Sequence, residues 1–307
     1  MKKRIITVVV LCFFVLAAAC LAYFSYKIYT KKKAEWVALQ KKKAAWEKLK
    51  NDIDRRVSNF KGSVGLIIKD LDTGWQIDYN KDTLFPSASL VKIPIMLAYF
   101  YSASDGNLSL KDQVVLKLRD KVPGSKALGN DPAGSKFAAG ELLSPMITLS
   151  DNTAANALID FMGFDMLNAY FHKIGLKNTN LSRRMMDFRQ RSAGVENYTT
   201  AEDMAYMLEQ LYYGRFLNKD VSNKCLEILG EQKINDRIPR RLPKGICIAH
   251  KTGLERHICH DVGVVYTNDG DFLICVLVRH NNKFAQPAKK FISSIAVSVY
   301  DYYNREN

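Results

Sequence analysis

Segments with the pattern of β-strands lie at the two ends of the globular part of this chain, and a long helical region separates them. SVGLIIKDLDTGWQIDYN, from residue 63, predicts two strands joined by a turn at Asp72-Thr73-Gly74. GICIAHKTG, HDVGVVYT and DFLICVLVRH, from residues 245, 260 and 271, predict three more. Five antiparallel strands are the simplest arrangement of these segments, so the sheet must join distant parts of the chain.

The region from residue 89 to residue 240 has helical periodicity instead. Segments such as AANALIDFMG and TAEDMAYMLEQLYYG end in glycine, as helices often do, and PAKKFISSIAVSVYDYYN predicts a closing helix. The whole pattern predicts an α+β fold: a five-stranded antiparallel sheet flanked by N- and C-terminal helices. A largely helical second subdomain, about residues 104–240, is inserted between strands 2 and 3.

An apolar run precedes the globular part. ITVVVLCFFVLAAACLAYFSY, from residue 6, has about 21 residues without a charge, enough for a helix to cross a hydrocarbon core of about 30 Å. We interpret residues 1–30 as a retained membrane anchor, because the run stays apolar beyond Cys20. A cleavable signal peptide cut after Ala17, Ala18 or Ala19, and lipidation of Cys20 in LAAAC, are the alternatives.

Residues 31–60 predict a Lys-rich helical stalk that runs into the first helix of a domain covering residues 61–305. Apolar residues recur there at helical steps: Trp36, Leu39, Trp46, Leu49, Ile53, Val57 and Phe60. The net charge of +14 comes mostly from residues 1–50, which hold 12 Lys/Arg against 2 Glu. The basic charge therefore belongs to the anchor and stalk and does not indicate nucleic-acid binding by the domain.

The six cysteines do not form a disulfide framework in a chain of this size. Cys259 lies close to His257 and His260, which suggests a zinc site, but alternation along a strand is the simpler interpretation. We expect no bound metal, no cofactor and a monomer.

Three short motifs carry the chemical information. Ser89-Leu-Val-Lys92 begins an apolar helix, Ser150-Asp151-Asn152 follows, and Lys251-Thr252-Gly253 begins the third predicted strand. A Ser-x-x-Lys occurs by chance roughly once in a chain of this size, but each triplet only about 0.05 times. The ordered set is therefore expected by accident on the order of a few times in a thousand.

The ordered set resembles that of class A β-lactamases and penicillin-binding proteins, which carry S-x-x-K, S-D-N and K-T-G. FPSASLVKIPIM, LSDNTAANALID, NYTTAEDMAYML and HKTG followed by HDVGVVY each resemble the corresponding family segments. The resemblance covers residues 60–305 and implies an active-site serine hydrolase.

On this resemblance Ser89 is the nucleophile and Lys92 its base, since burial and a nearby ammonium would depress the pKa of the Lys92 side chain. Ser150 passes a proton to the departing nitrogen, and Asn152 hydrogen-bonds a substrate amide. Asp151 braces its loop.

The opposite side of the predicted cleft is the third strand. Lys251 and Thr252 offer a cation and a hydroxyl to a substrate carboxylate, and Gly253 lets the backbone approach. The backbone N–H groups of Ser89 and Leu254 form the oxyanion hole.

The chain departs from the resemblance at two places. The glutamate that directs water in class A β-lactamases is replaced by Met185 or Met186, which leaves Asp187 as the candidate deacylation base. Cys259 stands where many family members have a carboxylate-binding arginine, and Arg256 is a possible substitute.

Three functions follow from these features, in this order. The first is hydrolysis of β-lactams, hence antibiotic resistance, through an acyl-enzyme on Ser89. The second is a D,D-peptidase that acts on peptidoglycan stem peptides and deacylates slowly. The third is an anchored cell-wall binding protein without turnover, which the three intact motifs disfavour. All three place the domain outside the cytoplasmic membrane.

Overall fold

The computed structural model describes residues 2–304, without the side chains of residues 2–4 and 7–10. It divides into two compact units, with the boundary between Asp52 and Ile53. The residue expected to end the domain, residue 305, lies outside the described residues.

The first unit is helical. Helix α1, Lys2–Asn59, includes residues of the expected anchor and of the expected stalk. Within the described residues, α1 is the one helix long and apolar enough to cross a membrane, with a mean hydropathy of 1.9 in its most apolar window. Length and composition are therefore compatible with an anchor or a signal segment.

The second unit contains the sheet and the remaining helices. Its elements are, in chain order, β1 Gly62–Asp70, β2 Gln76–Tyr79, β3 Phe85–Pro86, α2 Lys92–Ser104, β4 Gln113–Val115, β5 Lys136–Ala138, α3 Ala139–Thr148, α4 Asn152–Met162, α5 Phe164–Ile174, α6 Phe188–Ser192, β6 Tyr198–Thr199, α7 Ala201–Tyr212, α8 Lys219–Gly230, β7 Ile248–Glu255, β8 Ile258–Val265, β9 Phe272–His280 and α9 Gln286–Tyr303. Short 3-10 helices cover Ala88–Val91, Leu118–Asp120 and Ile238–Arg241.

The five predicted strands form one antiparallel sheet in the order β2-β1-β9-β8-β7. All residues of β8 are buried, and α9 packs on the sheet, as does α7. All residues of β9 except Arg279 are buried as well. A strand covered on both faces reads as a continuous apolar run, which is why DFLICVLVRH, the segment of β9, shows little alternation. The predicted fold class and the insertion between the second and third sheet strands, β2 and β7, are confirmed.

The inserted region is mostly helical, as expected, but two short ribbons were not predicted. β3 pairs with β6 and β4 pairs with β5, each through two or three residue pairs. Strands this short have no measurable period, so the sequence carries no signal for them. The β3–β6 ribbon joins the segment before Ser89 to the end of the loop that carries Met185.

Helix α2 is the centre of this region. Every residue from Lys92 to Tyr99 is buried, and α3, α5 and α8 pack around it. A helix that is apolar on all sides belongs in a core. The residues at its N-terminal end are therefore held by the most tightly packed part of the domain.

Candidate active site

Ser89 lies in the single 3-10 turn that leads into α2. Ala88, directly before it, has a φ of +45°, a left-handed backbone conformation that residues other than glycine rarely adopt. This turn leaves Ser89 half-buried and places Lys92, the first residue of α2, one turn further on.

Lys92 is completely buried and points to the Ser-Asp-Asn loop. Its Nζ donates to the carbonyl oxygen of Ser150 at 2.7 Å, to Oδ1 of Asn152 at 2.7 Å and to Oγ of Ser150 at 3.3 Å. Burial, and then the charge of Lys251, hold the pKa of Lys92 well below its usual range, although Asp151 acts in the opposite direction. A lysine in this setting can lose its proton and act as a base.

The loop between α3 and α4 is held by Asp151. One carboxylate oxygen caps α4 by accepting from the N–H of Ala154 at 2.9 Å. The other accepts from the N–H groups of Ala127 at 2.8 Å and Leu128 at 3.3 Å. Asp151 therefore braces the loop, as expected, and Ser150 is held in a left-handed conformation with a φ of +55°.

Lys251 reaches the same serine from the sheet. Its Nζ donates to Oγ of Ser150 at 3.0 Å and to the carbonyl oxygen of Thr252 at 3.0 Å. Burial and the nearby Arg237 lower the pKa of Lys251 to about 7, against a smaller opposite effect of Asp261. The Ser150 hydroxyl thus lies between two buried amines from opposite sides of the cleft.

Gly253 allows β7 to pack closely against the 3-10 turn that carries Ser89. A Cβ at this position would stand 3.3 Å from Cγ of Leu90 and 3.3 Å from the carbonyl oxygen of Ser87, closer than ordinary contact. Because β7 is the last strand of the sheet, one edge of Lys251-Thr252-Gly253 faces this turn. Leu254 follows on the same strand and is about half exposed.

His260, which the sequence suggested only as a zinc ligand, is buried next to the site. It lies opposite Gly253 on β8, and its Nε2 lies 2.9 Å from the carbonyl oxygen of Pro86. Its Nδ1 accepts from the N–H of Val278 at 3.0 Å, so Nε2 carries the proton. Burial lowers the pKa of His260 to about 4, and the neutral ring joins the sheet to the segment before Ser89.

Arg237 is a residue that sequence reasoning missed. It is buried before the 3-10 helix Ile238–Arg241, and its Nε donates to Sγ of Cys259 at 3.3 Å. A guanidinium therefore lies beside Cys259, the residue expected to stand in place of the family's arginine. Arg256, the expected substitute, lies in the exposed turn after β7, where its Nε donates to Nε2 of His257 at 3.2 Å. No periodic pattern marks Arg237, because it lies outside every regular strand and α-helix.

Met185 and Met186, the two residues that the sequence left open as replacements of the family's glutamate, both lie in the loop before β6. Asn156 of α4 holds both sides of this backbone, accepting from the N–H of Met185 at 2.8 Å and donating to its carbonyl oxygen at 3.2 Å. Met185 is buried, whereas Met186 is partly exposed. Of the two residues that the sequence left open, Met185 is the one fixed to the helix of Asn152.

Asp187 has a structural partner in this loop. Its Oδ1 accepts from the N–H of Gln190 at 3.0 Å and caps the short helix α6. Within the described residues, no hydrogen bond joins Asp187 to Ser89, Lys92 or Ser150. Its role as a deacylation base remains a prediction.

Ion pairs attach the same loop to β7. Arg183 is buried between Glu196, at 2.6 Å, and Glu255 of β7, at 2.9 Å. Arg191 pairs with the same two carboxylates, at 3.4 Å and 3.0 Å. Glu196, the other acid near Met185, is thus engaged in holding the loop to the strand that carries Lys251.

The suggested zinc set of His257, Cys259 and His260 does not come together. Cys259 faces Arg237, and His260 lies between Pro86 and Val278. In the part of the chain that the structure describes, no three His, Cys, Asp or Glu side chains are grouped to hold a metal ion.

Comparisons with known proteins show the family to which this fold belongs. The model of the β-lactamase enzyme family matches residues 48–303. β-Lactamase VEB-1 of Pseudomonas aeruginosa is 26% identical over 78% of this chain and 85% of its own length, and a β-lactamase of Rhodobacter capsulatus is 27% identical over 73% and 77%. Among solved structures, a PBP-A mutant in an acyl-enzyme complex with penicillin G has 28% identity and a TM-score of 0.77 over 85% of this chain and 97% of that chain. A β-lactamase of Sphaerobacter thermophilus has 29% identity and a TM-score of 0.74 over 84% and 97%. This chain belongs to the β-lactamase enzyme family.

Proposed function

We propose that the protein is a serine hydrolase that takes β-lactams onto Ser89 as an acyl-enzyme and then hydrolyses the ester, with deacylation as the slow step. The observation that carries this proposal is the Ser150 hydroxyl, which lies within hydrogen-bond distance of both Lys92 and Lys251. The relatives named as β-lactamases support the substrate class.

Acylation is assigned to the buried amines. Neutral Lys92 accepts the proton of the Ser89 hydroxyl as Oγ attacks the lactam carbonyl carbon, and the ring C–N bond breaks when the tetrahedral intermediate collapses. Ser150 delivers a proton to the departing nitrogen and is resupplied through Lys92. The backbone N–H groups of Ser89 and Leu254 receive the developing oxyanion.

Substrate binding is assigned to the edge strand and the Ser-Asp-Asn loop. Asn152 hydrogen-bonds the amide of the substrate side chain. Lys251 and Thr252 bind its carboxylate, and the buried guanidinium of Arg237 contributes positive charge beside them, the role first considered for Arg256.

Deacylation requires a base that activates water on the ester. The thioether of Met185 cannot accept a proton from water. Asp187, two residues further along the chain, is the carboxylate closest in sequence to Met185 within this loop. We therefore expect the ester to persist for longer than one in an enzyme with a glutamate at that position.

A second candidate is a D,D-peptidase acting on peptidoglycan stem peptides. Met185 favours it, because a long-lived acyl-enzyme is typical of penicillin-binding proteins rather than of resistance enzymes. The similarity to PBP-A, a structure of which is an acyl-enzyme with penicillin G, points the same way.

We also propose that α1 anchors the protein in the cytoplasmic membrane, with the hydrolase domain on the outer side. The apolar window of α1 supports an anchor, and both candidate substrates are found outside the cytoplasm. Protease added to intact spheroplasts should degrade the domain; protection until the membrane is permeabilised would contradict this orientation.

The experiment for the proposed function follows colour and mass together. The full-length chain in detergent is mixed with a chromogenic cephalosporin, and absorbance and intact mass are recorded over time. A burst of about one equivalent followed by slow steady turnover supports the hydrolase. A stable adduct without turnover, together with release of D-alanine from a stem pentapeptide, supports the peptidase. Neither adduct nor turnover would rule out both.

A further inference from the structure

A buried pair of side chains, His250 and Asp261, takes no part in the chemistry assigned above. His250 directly precedes Lys251 on β7, and Asp261 lies opposite Thr252 on β8. Nδ1 of His250 lies 2.8 Å from Oδ1 of Asp261, and it carries a proton because a carboxylate only accepts. His250, Thr252 and Asp261 share one face of the sheet, since residues opposite each other or two apart point the same way. The pair therefore lies beside the residues assigned to the substrate carboxylate.

The remaining polar atoms of the pair contact one short stretch of irregular chain. Nε2 of His250 lies 3.0 Å from Oδ1 of Asn235. Oδ2 of Asp261 accepts from the N–H of Ile238 at 2.9 Å. Asn235 and Ile238 are the two ends of the sequence NDRI, in which Arg237 is the third residue. The pair thus attaches both ends of the stretch that carries Arg237 to the sheet.

Arg237 depends on such contacts because its main chain belongs to no regular element. Its φ of −131° and ψ of −102° are those of neither a helix nor a strand. Its side chain is buried, and Nε donates to Cys259, which is two residues before Asp261 on β8. Burial and then the charge of Arg237 lower the pKa of Lys251, so the guanidinium is close to that amine.

A second carboxylate, that of Asp236, also contacts this stretch. Its Oδ1 lies 3.1 Å from Nη1 of Arg237, and its Oδ2 lies 2.5 Å from Nζ of Lys289 on α9. The Asp236 side chain is 38% exposed, whereas that of Asp261 is completely buried. Exposed ion pairs contribute little, and hydrogen bonds to a buried carboxylate contribute more. Asp261 is therefore the main support of the stretch.

We propose that Asp261 and His250 are positioning residues that hold Arg237 at the carboxylate-binding end of the site. They act through the guanidinium and do not contact the substrate. This inference rests on the proposed function, in which Lys251, Thr252 and Arg237 bind the carboxylate of the β-lactam.

The test compares two forms of one chromogenic cephalosporin, the free acid and its methyl ester. Stopped-flow mixing with full-length protein in detergent gives the second-order rate constant of acylation for each form. The ratio of the two constants, acid over ester, measures what the protein gains from the carboxylate. A partly unfolded preparation loses both rates equally, so a purely structural defect leaves this acid/ester ratio unchanged.

Asp261→Ala leaves the N–H of Ile238 without its acceptor and should lower the acid/ester ratio by about tenfold. The limiting rate of acylation at saturating acid should stay the same, because the lost interaction is equal in the bound and the transition state. In an Arg237→Met background, Asp261→Ala should have no further effect on the ratio, since both changes remove the same interaction.

Asp203→Ala is the matched control, because Asp203 is another buried carboxylate that accepts from main-chain N–H groups. It lies on α7 and accepts from Lys177 at 3.1 Å and from Asn178 at 2.8 Å. It should keep the parent ratio. If Asp261→Ala fails to fold, His250→Leu decides, and it should lower the ratio by at least about threefold.

The assignment is overturned if Asp261→Ala keeps the parent ratio, if Asp203→Ala lowers the ratio equally, or if the effect persists in the Arg237→Met background. A parent that forms no adduct with either compound would refute the proposed function instead. Amide hydrogen exchange then decides the positioning role: Asp261→Ala should speed exchange in residues 235–241, and unchanged exchange there would overturn it.

Discussion

The acylation centre and the loop that carries Met185 are both firmly held, but they are built from different kinds of residue. Lys92, Ser150 and Lys251 form a buried polar network in which every amine has a partner. The backbone of the loop is held by Asn156 of α4 and by the ion pair of Arg183 with Glu255. The side chain in the middle of the loop, however, is the thioether of Met185. In the proposed mechanism, formation and hydrolysis of the acyl-enzyme depend on these two separate parts of the chain, so one step can be weakened while the other is kept.

The largest effect is expected from Ser89→Ala. Without the hydroxyl no ester can form, so the covalent adduct with a cephalosporin should disappear completely in intact-mass measurements. The melting temperature should remain nearly unchanged, because Ser89 is half-buried in a short turn. A large fall in melting temperature would instead identify Ser89 as a structural helix cap and would contradict its assignment as the nucleophile.

Lys92→Met should slow adduct formation by about 10²–10⁴-fold, the usual contribution of a positioned general base. Stopped-flow mixing with a chromogenic cephalosporin measures this rate. Lys92→Arg separates charge from basicity, since arginine keeps the charge but does not lose its proton. Rapid acylation by a folded Lys92→Arg protein would exclude Lys92 as the base.

Met185→Glu should shorten the lifetime of the adduct by roughly 10²-fold while leaving the rate of its formation unchanged, because it adds a water-activating carboxylate only to the second step. The adduct is formed first, excess drug is removed, and the mass is followed with time. Met186→Glu is the matched control, since Met186 is adjacent but more exposed. An equal effect from Met186→Glu, or none from Met185→Glu, would contradict the assignment of this position.

The smallest effect concerns pH and stability. The pKa of folded Lys251 is about 7, below its usual 10.5, so between these values the unfolded chain holds a proton that the folded chain has released. The free energy of unfolding should therefore rise with pH in this window, by at most about 1.4 kcal/mol per pH unit from this group. Denaturant unfolding of wild type and Lys251→Met at several pH values isolates the contribution, because the other groups titrate in both. If the difference in the free energy of unfolding between wild type and Lys251→Met stays constant with pH, Lys251 keeps its proton in the folded state.

The acylation centre could be predicted from the sequence more completely than the loop that carries Met185. The sequence proposed Ser89, Lys92, Ser150 and Lys251 from short motifs in a fixed order, and the structure brings the last three together. The loop gave less information: its sequence left Met185 and Met186 open, and the hydrogen bonds from Asn156 to the Met185 backbone come from helix α4. Asp187 was chosen for its charge, and the structure adds a capping bond that the sequence had not predicted.

The sequence also missed Arg237, because neither a motif nor a periodic pattern marks this residue. Arg237 reaches Cys259 from an irregular segment, whereas the sequence had suggested Arg256, which is closer along the chain.

The separation of strands from helices, the five sheet strands and the three motifs could all be predicted from the sequence. Side chains repeat every two residues in a strand and about every 3.6 in a helix, so a short stretch of chain already carries that information. The position of Ser150 between Lys92 and Lys251, which are 58 and 101 residues away from it, follows from the packing of the folded chain. The same is true of the hydrogen bonds between Met185 and Asn156. Such distances result from the packing of whole elements against one another, to which each residue contributes only a small part of the free energy, and no local pattern records them.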